Sequence, residues 1–388
     1  MNVYFFLSVL DWAIFIMIAF SAVYLLIFVL ASKFYHPRQY PDSDQLSRIL
    51  VLFPAYGEDD VILHSVAHFL LQDYPKEQYE LVVISDHMQD ETNEALQKMP
   101  ISLFVVTFEQ SSKAKALNFA MEHFEKDQFG IVTILDADNL VEPSYLHSVN
   151  NACHSGVKAL QAHRTAKNHQ TEVAVFDAVS EEVNNTIFRK GHCALGLSSA
   201  LVGSGMAFDF NWFKENVVHL QTAGEDKELE TLLLMQSIKI EYLDGLYVMD
   251  EKTSKNHVYY RQRQRWLAAQ YSTLFSNLKN IPRCIRSGNF NYLNKIIQWS
   301  MLPRVVLFGF ATFMALILLL FASESSVKWF VLIFLMGIIF VLATPGPLFR
   351  LFIRKSWKTV PVMFVMMILN FFKMHKGKIF IHTPHGQE

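Results

Sequence analysis

Apolar runs stand at both ends of the chain, and the middle alternates. Trp12 to Ala31 is 20 residues without a charge, which at helical rise covers about 30 Å of hydrocarbon and predicts a membrane-spanning helix. Val305 to Ala322 is a second uncharged run, SESSVK a polar turn, and Trp329 to Ala343 apolar again, together predicting a helical hairpin. Val360 to Phe372 is 13 residues long, contains Asn370 and is flanked by Lys358 and Lys373. That is short for a span and suits a re-entrant or interfacial segment equally well. From about residue 45 to 280 the pattern changes. RILVLFPAY precedes an amphipathic stretch at 59–72, ELVVIS one at 90–98, SLFVVTF one at 112–125, and GIVTILDAD one at 143–153. Strand-helix alternation of this kind predicts parallel βαβ units in an open twisted sheet, an α/β domain whose ligands bind at the carboxyl ends of its strands.

Composition places part of the chain in a bilayer, since 52% of residues are hydrophobic and 33 are Phe. Residues 1–11 hold Asp11 but no Lys or Arg, so the first run lacks the basic lead of a signal peptide and is read as a retained anchor. Lys33, Arg38 and Arg48 follow it, which by the positive-inside rule puts the middle of the chain in the cytoplasm. Arg350, Arg354, Lys355 and Lys358 form a basic cluster suited to anionic headgroups. The stretch 254–303 mixes basic, aromatic and apolar residues at helical spacing and predicts interfacial helices that snorkel Lys and Arg while burying Trp and Leu. A net charge of −2 and the flanking membrane segments exclude nucleic acid as its partner. Cys153, Cys193 and Cys284 have no metal-like spacing and read as small buried side chains. The organisation expected is an anchor over 1–34, a catalytic domain over 45–253, interfacial helices over 254–303, a hairpin over 304–344 and a basic, partly apolar end over 345–388.

Chemistry-bearing residues gather at the predicted strand ends. GIVTIL ends in Asp136 and Asp138, whose side chains would share one side of an extended backbone and hold a divalent cation through hard oxygens; a solvated turn would carry the same pair. PAYGED follows the first strand, and Asp86 the second, with Asp90 placed to cap the next helix. Lys113 and Lys115 stand at a helix start, where cations oppose the dipole unless a phosphate is bound or water solvates them.

PAYGED, Asp86, KAKALN, DAD, GSGMAF, AGED and QRQRW follow one another over residues 48–270 in an order that resembles the membrane-bound family 2 glycosyltransferases of the GT-A (Rossmann-like) fold. That group includes cellulose, chitin and hyaluronan synthases and bacterial exopolysaccharide synthases. The resemblance implies that Pro54, Ala55 and Glu58 contact the nucleotide, that Asp86 contacts the base, and that Lys113 and Asp136 lie beside the nucleotide-sugar. It implies Asp138 as the metal ligand, for Mg2+ or Mn2+, and Asp226 as the general base. Gly203, Ser204, Gly205, Glu225, Gln262, Arg265 and Trp266 would complete the acceptor and diphosphate side. Gly224, Glu225 and Asp226 stand where a Thr-Glu-Asp triplet is usual, Gly57 where Asn is common, and DHMQDET lacks the usual Ser and Gly between its acids.

The expectation is an inverting transferase that takes a UDP-sugar to a growing glycan or lipid-linked acceptor, with a single base and no nucleophile for a double displacement. Few spans argue against an enclosed polymer channel, so elongation would call on an export partner or a homo-oligomer. A nucleotide- or glycan-binding sensor is the other class; retained Asp136, Asp138 and Asp226 speak against it, and too few spans speak against a transporter. His163 and His192 are read as structural, and the terminal FIHTPHGQE as a tail returning to the catalytic domain.

Overall fold

The computed structural model describes residues 3–220, 222 and 224–373; FIHTPHGQE lies outside them. Helix α1 (Val3–Ser32) leads to β1 (Ile49–Tyr56), α2 (Asp59–Phe69), β2 (Tyr79–Asp86), α3 (Asp90–Gln97), β3 (Ser102–Val106), α4 (Lys113–Glu122) and β4 (Ile131–Ile134). The four strands pair in parallel, as the alternation predicts. β1 is apolar at five successive positions because both faces are covered: Ile49, Val51 and Phe53 pack into one cluster, Leu50 and Leu52 into the other.

Beyond β4 the sheet turns mixed. It continues through β5 (Leu140–Val141), α5 (Tyr145–His154), β6 (Ala159–Ala166), α6 (Glu172–Asn184), the one-turn α7 (His192–Ala194), β7 (Met206–Asp209), α8 (Phe210–Val217), α9 (Glu225–Met235) and β8 (Glu241–Asp250). The order is β3-β2-β1-β4-β7-β6-β8-β5, with β7 antiparallel to β4 and β6, and β5 antiparallel to β8. β6 and β8 pair in parallel with a register shift at Ala162/His163. The all-parallel expectation thus holds for one half only, because local periodicity does not specify which distant strand a segment meets.

The described residues after β8 are mainly helical: α10 (Asn256–Asn277), α11 (Ile281–Arg286), α12 (Phe290–Ser300), α13 (Arg304–Phe321), α14 (Ser323–Ala343), α15 (Gly346–Lys355) and α16 (Val360–Phe372). Among the described residues three helices, Phe5–Ser32, Arg304–Phe321 and Ser323–Ala343, are long and apolar enough to cross a membrane. SESSVK is not a turn between the last two. The break falls at Ala322, and the polar residues open α14, where Lys328 pairs with Asp11 and lies 3.8 Å from the Trp12 ring centroid. At the opposite end Lys33 donates to the Leu342 carbonyl at 2.6 Å, so α1 and α14 run parallel. α16 has 13 residues and packs on α10 and α13, its buried Asn370 donating to the Tyr260 carbonyl at 3.1 Å. In α12 Lys295 does not snorkel; it is 1% exposed and pairs with Glu230 at 2.8 Å.

α6 joins the sheet to the long apolar helices. Val175, Val179, Val183 and Ile187 recur at helical spacing and pack with Leu25 and Val29 of α1 and with α13 and α14 in one cluster. The two histidines hold this junction together. His192 is fully buried, donates from Nδ1 to the Ile187 carbonyl at 2.7 Å, and meets the Tyr24 hydroxyl and Gln298 through Nε2; burial, with Lys295 nearby, lowers its pKa to about 3. His163 lies between Asp244 at 2.9 Å and Glu182 at 3.1 Å; burial opposes its charge, but the two carboxylates outweigh that and raise its pKa to about 9. Its stabilising contribution is complete below the ordinary imidazole value and drains away as pH climbs from about 6.5 to about 9. About 3 kcal/mol of stability is therefore expected to disappear over that interval. A melting curve series from pH 6 to 9.5 checks this, with His163→Gln losing the slope.

Candidate active site

Side chains from the strand ends and from α9 and α10 line one cavity of about 720 Å³. Pro54, Ala55 and Glu58 reach it from the β1 end and Asp86 from the adjoining β2 end; Gly57 N–H donates to the Asp86 carbonyl at 3.1 Å and ties the two loops. Asp86 is 3% exposed, takes the Phe108 N–H at 3.3 Å and meets His87 Nδ1 at 2.6 Å.

Asp136 and Asp138 both line the cavity, but not as a pair on an extended strand. β4 ends at Ile134, and the segment after it folds into a turn closed by Asn139, whose N–H donates to the Asp136 carbonyl and whose Oδ1 takes the Asp136 N–H, each at 3.0 Å. Within the turn the two carboxylates have different partners. Asp136 pairs with Lys113, while Asp138, 1% exposed, takes the Glu251 N–H at 2.6 Å and the Asn139 amide at 3.2 Å. Among the described residues, no three His, Cys, Asp or Glu side chains assemble as a metal-binding group.

Lys113 is the first residue of α4, and its ammonium reaches Asp136, the Gly203 carbonyl at 2.8 Å and Glu225 at 3.9 Å. Burial disfavours its charge, yet the two carboxylates raise its pKa. The cation at the helix start is balanced by protein carboxylates, and Lys115 turns away to the Gln110 carbonyl at 2.6 Å.

The GSG loop divides. Gly203 lines the cavity, whereas Ser204 is fully buried behind the aspartate turn, taking the Asp136 N–H at 3.2 Å and bonding Asn139. Gly205 has φ +65°, and a Cβ there would sit 2.8 Å from a Val248 methyl and 3.3 Å from the Ala162 Cβ, so glycine is required where the chain enters β7. Ser204 and Gly205 therefore shape the floor of the site and do not face a ligand.

Glu225 and Asp226 open α9. Asp226 takes the Lys227 N–H at 2.8 Å and pairs with the Lys227 ammonium at 3.2 Å. Glu225 is buried, which pushes its pKa up to about 7; Lys113 opposes this and Asp226 adds to it. Gly224 stands where the family pattern has Thr because α10 leaves no room: a Cβ would lie 2.9 Å from the Ala269 Cβ. Gly224→Thr is accordingly expected to cost about 1–3 kcal/mol, measured as a lowered melting temperature that Ala269→Gly partly restores.

α10 presents Gln262, Arg265 and Trp266 to the cavity at i, i+3 and i+4. Burial lowers the pKa of Arg265 against the opposing pull of Glu225, Asp136 and Asp226, so its guanidinium lies in the field of those three carboxylates. Arg263, quoted in the motif but given no role from sequence, pairs with Asp177 and stacks 4.6 Å from the Trp266 ring. A second set escaped sequence reading altogether: Glu181 of α6 holds Arg164 at 2.9 Å and Arg189 at 3.1 Å, beside Lys252 and Asp250. Burial alone would raise the Glu181 pKa; Arg164, Lys252 and Arg189 together hold it far below the usual carboxylate range. No sequence spacing connects these residues, which meet only through the sheet.

This mixed sheet with carboxylates at its strand ends is the GT-A fold of nucleotide-sugar glycosyltransferases. The family model described as "Glycosyltransferase like family 2" matches residues 47–269, and the chain belongs to that family. It is 24% identical over 278 residues to "Glucomannan 4-beta-mannosyltransferase 7" of Arabidopsis thaliana, covering 66% of this chain and 47% of that protein. It is 28% identical over 113 residues to "Probable glycosyltransferase YdaM" of Bacillus subtilis (strain 168), covering 27% of this chain and 26% of that one. The matched stretches thus span half or less of those relatives. Among solved structures, the mannosyltransferase PcManGT from Pyrobaculum calidifontis, in complex with GDP-Man and Mn2+, superposes with a TM-score of 0.50 at 18% identity, covering 85% of this chain and 96% of that one.

Proposed function

We propose that this glycosyltransferase moves a sugar, with inversion, from a nucleoside diphosphate sugar to a hydroxyl of a growing or lipid-linked glycan at the cytoplasmic face of a membrane. The observation that carries the reading is the single cavity in which the strand-end carboxylates, the first turn of α9 and the Gln262, Arg265 and Trp266 face of α10 meet. Pro54, Ala55 and Glu58 border the nucleotide, and Asp86 accepts from the base. Lys113 orients Asp136 beside the donor sugar. Asp226 takes the acceptor hydroxyl proton as the acceptor oxygen bonds to the anomeric carbon and the carbon–oxygen bond to the diphosphate breaks. The nucleoside diphosphate departs with the bonding electrons, and Arg265 lies where that negative charge is stabilised. Trp266 offers a flat apolar face to the acceptor ring.

A divalent cation fits this donor set. Asp138 would supply a hard carboxylate oxygen at the cavity wall, and Mg2+ or Mn2+ is commonly held by one or two carboxylates completed by substrate phosphates. Such an ion, when bound, neutralises the diphosphate. UDP-sugars are the expected donors, and the mannosyltransferase names among the relatives put GDP-mannose in the same test. Purified protein in lipid discs is offered UDP- and GDP-sugars with Mg2+ or Mn2+, and products are read by mass spectrometry. Donor turnover to a glycosylated product supports the reading, whereas nucleotide binding without hydrolysis or transfer for any donor favours a sensor.

A further inference from the structure

The cavity does not end at the sugar site. Past Trp266 it runs into the membrane helices, where Leu25, Phe308, Gly337, Phe340, Phe352 and Met367 line it. These residues give a glycan no hydrogen-bond partners, and sugar hydroxyls placed among them would go unsatisfied. A hydrocarbon chain suits the same walls.

Between the two ends the cavity wall is cationic. Arg164, Arg189, Lys252, Arg263 and Arg304 line it here, against the carboxylates of Asp177, Glu181 and Asp250. Three guanidinium nitrogens of this group are buried without a hydrogen-bond acceptor among the described residues: Nε of Arg164, a residue 6% exposed, Nε of Arg263 and Nη1 of Arg304. Arg304 donates from Nη2 to Asn184 Oδ1 at 2.8 Å and to the Ser180 carbonyl at 3.3 Å, lies 6.0 Å from the Phe188 ring, and has no described carboxylate within 4 Å. Buried guanidinium donors left in this state are costly unless an anion completes them.

We infer that the acceptor is an anionic lipid: a phosphate-type head held by Arg304 and Arg263, a hydrocarbon tail lying between α13, α14 and α16, and the reacting hydroxyl directed past Trp266 toward Asp226. The assignment of the hydroxyl rests on the glycosyltransferase reading; the lipid site itself does not. Gly337 supplies a clean probe of the tail region. It lines the cavity and a Cβ there meets nothing within 4 Å, so Gly337→Leu adds bulk at the cavity wall with no neighbour pressed at the Cβ.

The full chain in phosphatidylcholine discs is incubated with farnesyl phosphate, farnesol or inorganic phosphate, and retained ligand is counted by native mass spectrometry. Farnesyl phosphate is expected to be retained, with farnesol and inorganic phosphate each held at least about tenfold more weakly, and Arg304→Gln and Gly337→Leu are each expected to weaken farnesyl phosphate by about tenfold or more. Equal retention of farnesol overturns the anionic head, and undiminished retention in both variants overturns the site. No retention of farnesyl phosphate by the unaltered chain overturns the proposal outright. UDP and GDP binding is measured on the same samples: a chain that retains farnesyl phosphate but neither nucleotide removes the glycosyltransferase reading and leaves the lipid site standing.

Discussion

Asp226→Asn is expected to lower sugar transfer by roughly 10²-fold or more while donor affinity persists, since the amide keeps the shape of the carboxylate and loses its ability to take a proton. The side chain opens α9 beside Lys227, in the same cavity as Asp136 and Arg265, so its loss leaves the other donor contacts in place. Titration with UDP or GDP and turnover at saturating donor separate the two quantities. A collapse of donor affinity at unchanged saturating turnover would make Asp226 a binding residue. Glu225 is the neighbour that tests the assignment most sharply, because its pKa near 7 is matched to proton transfer at neutral pH. If its ionisation matters to turnover, the rate rises with pH through about 7, and Glu225→Gln removes that limb. A loss confined to Glu225→Gln, with Asp226→Asn fully active, moves the base by one residue.

The second large effect is expected at Asp138. Asp138→Asn removes the carboxylate oxygen offered to a cation that neutralises the leaving diphosphate, and several kcal/mol of barrier, about 10³-fold in turnover, is the expected loss. The substitution also has a structural cost. The present carboxylate accepts from both the Glu251 N–H and the Asn139 amide, and an amide nitrogen in either position sets donor against donor. About 1–3 kcal/mol of stability is at stake, so a melting curve accompanies the kinetics. Wild-type activity that EDTA leaves untouched, together with full activity of the variant in EDTA, would remove the metal from the mechanism.

Much of this molecule was legible one segment at a time. The uncharged runs, the β-like run of β1 with both faces apolar, and the acids at strand ends are local signals, and local hydrophobic patterning commits a segment to a helix or a strand and to a buried or lipid-facing setting before any partner is chosen. The parallel half of the sheet and the residues that line its carboxyl edge follow from that patterning, together with the ordered motifs from PAYGED to QRQRW. What patterning does not carry is the identity of distant partners. The turn at Asn139 gives Asp136 and Asp138 different partners, Ser204 retreats behind them, Lys113 is claimed by carboxylates from the turn after β4 and from α9, and Gly224 yields to Ala269 across a helix contact. The cationic ring on Glu181 and the orphaned nitrogens of Arg164, Arg263 and Arg304 likewise exist only where α6, β6, β8, α10 and α13 converge. Hydrogen bonds and ion pairs act over a few ångströms of space regardless of separation along the chain, so the choice of partner for Lys113, Arg164, Glu181 and Arg263 was settled by tertiary packing.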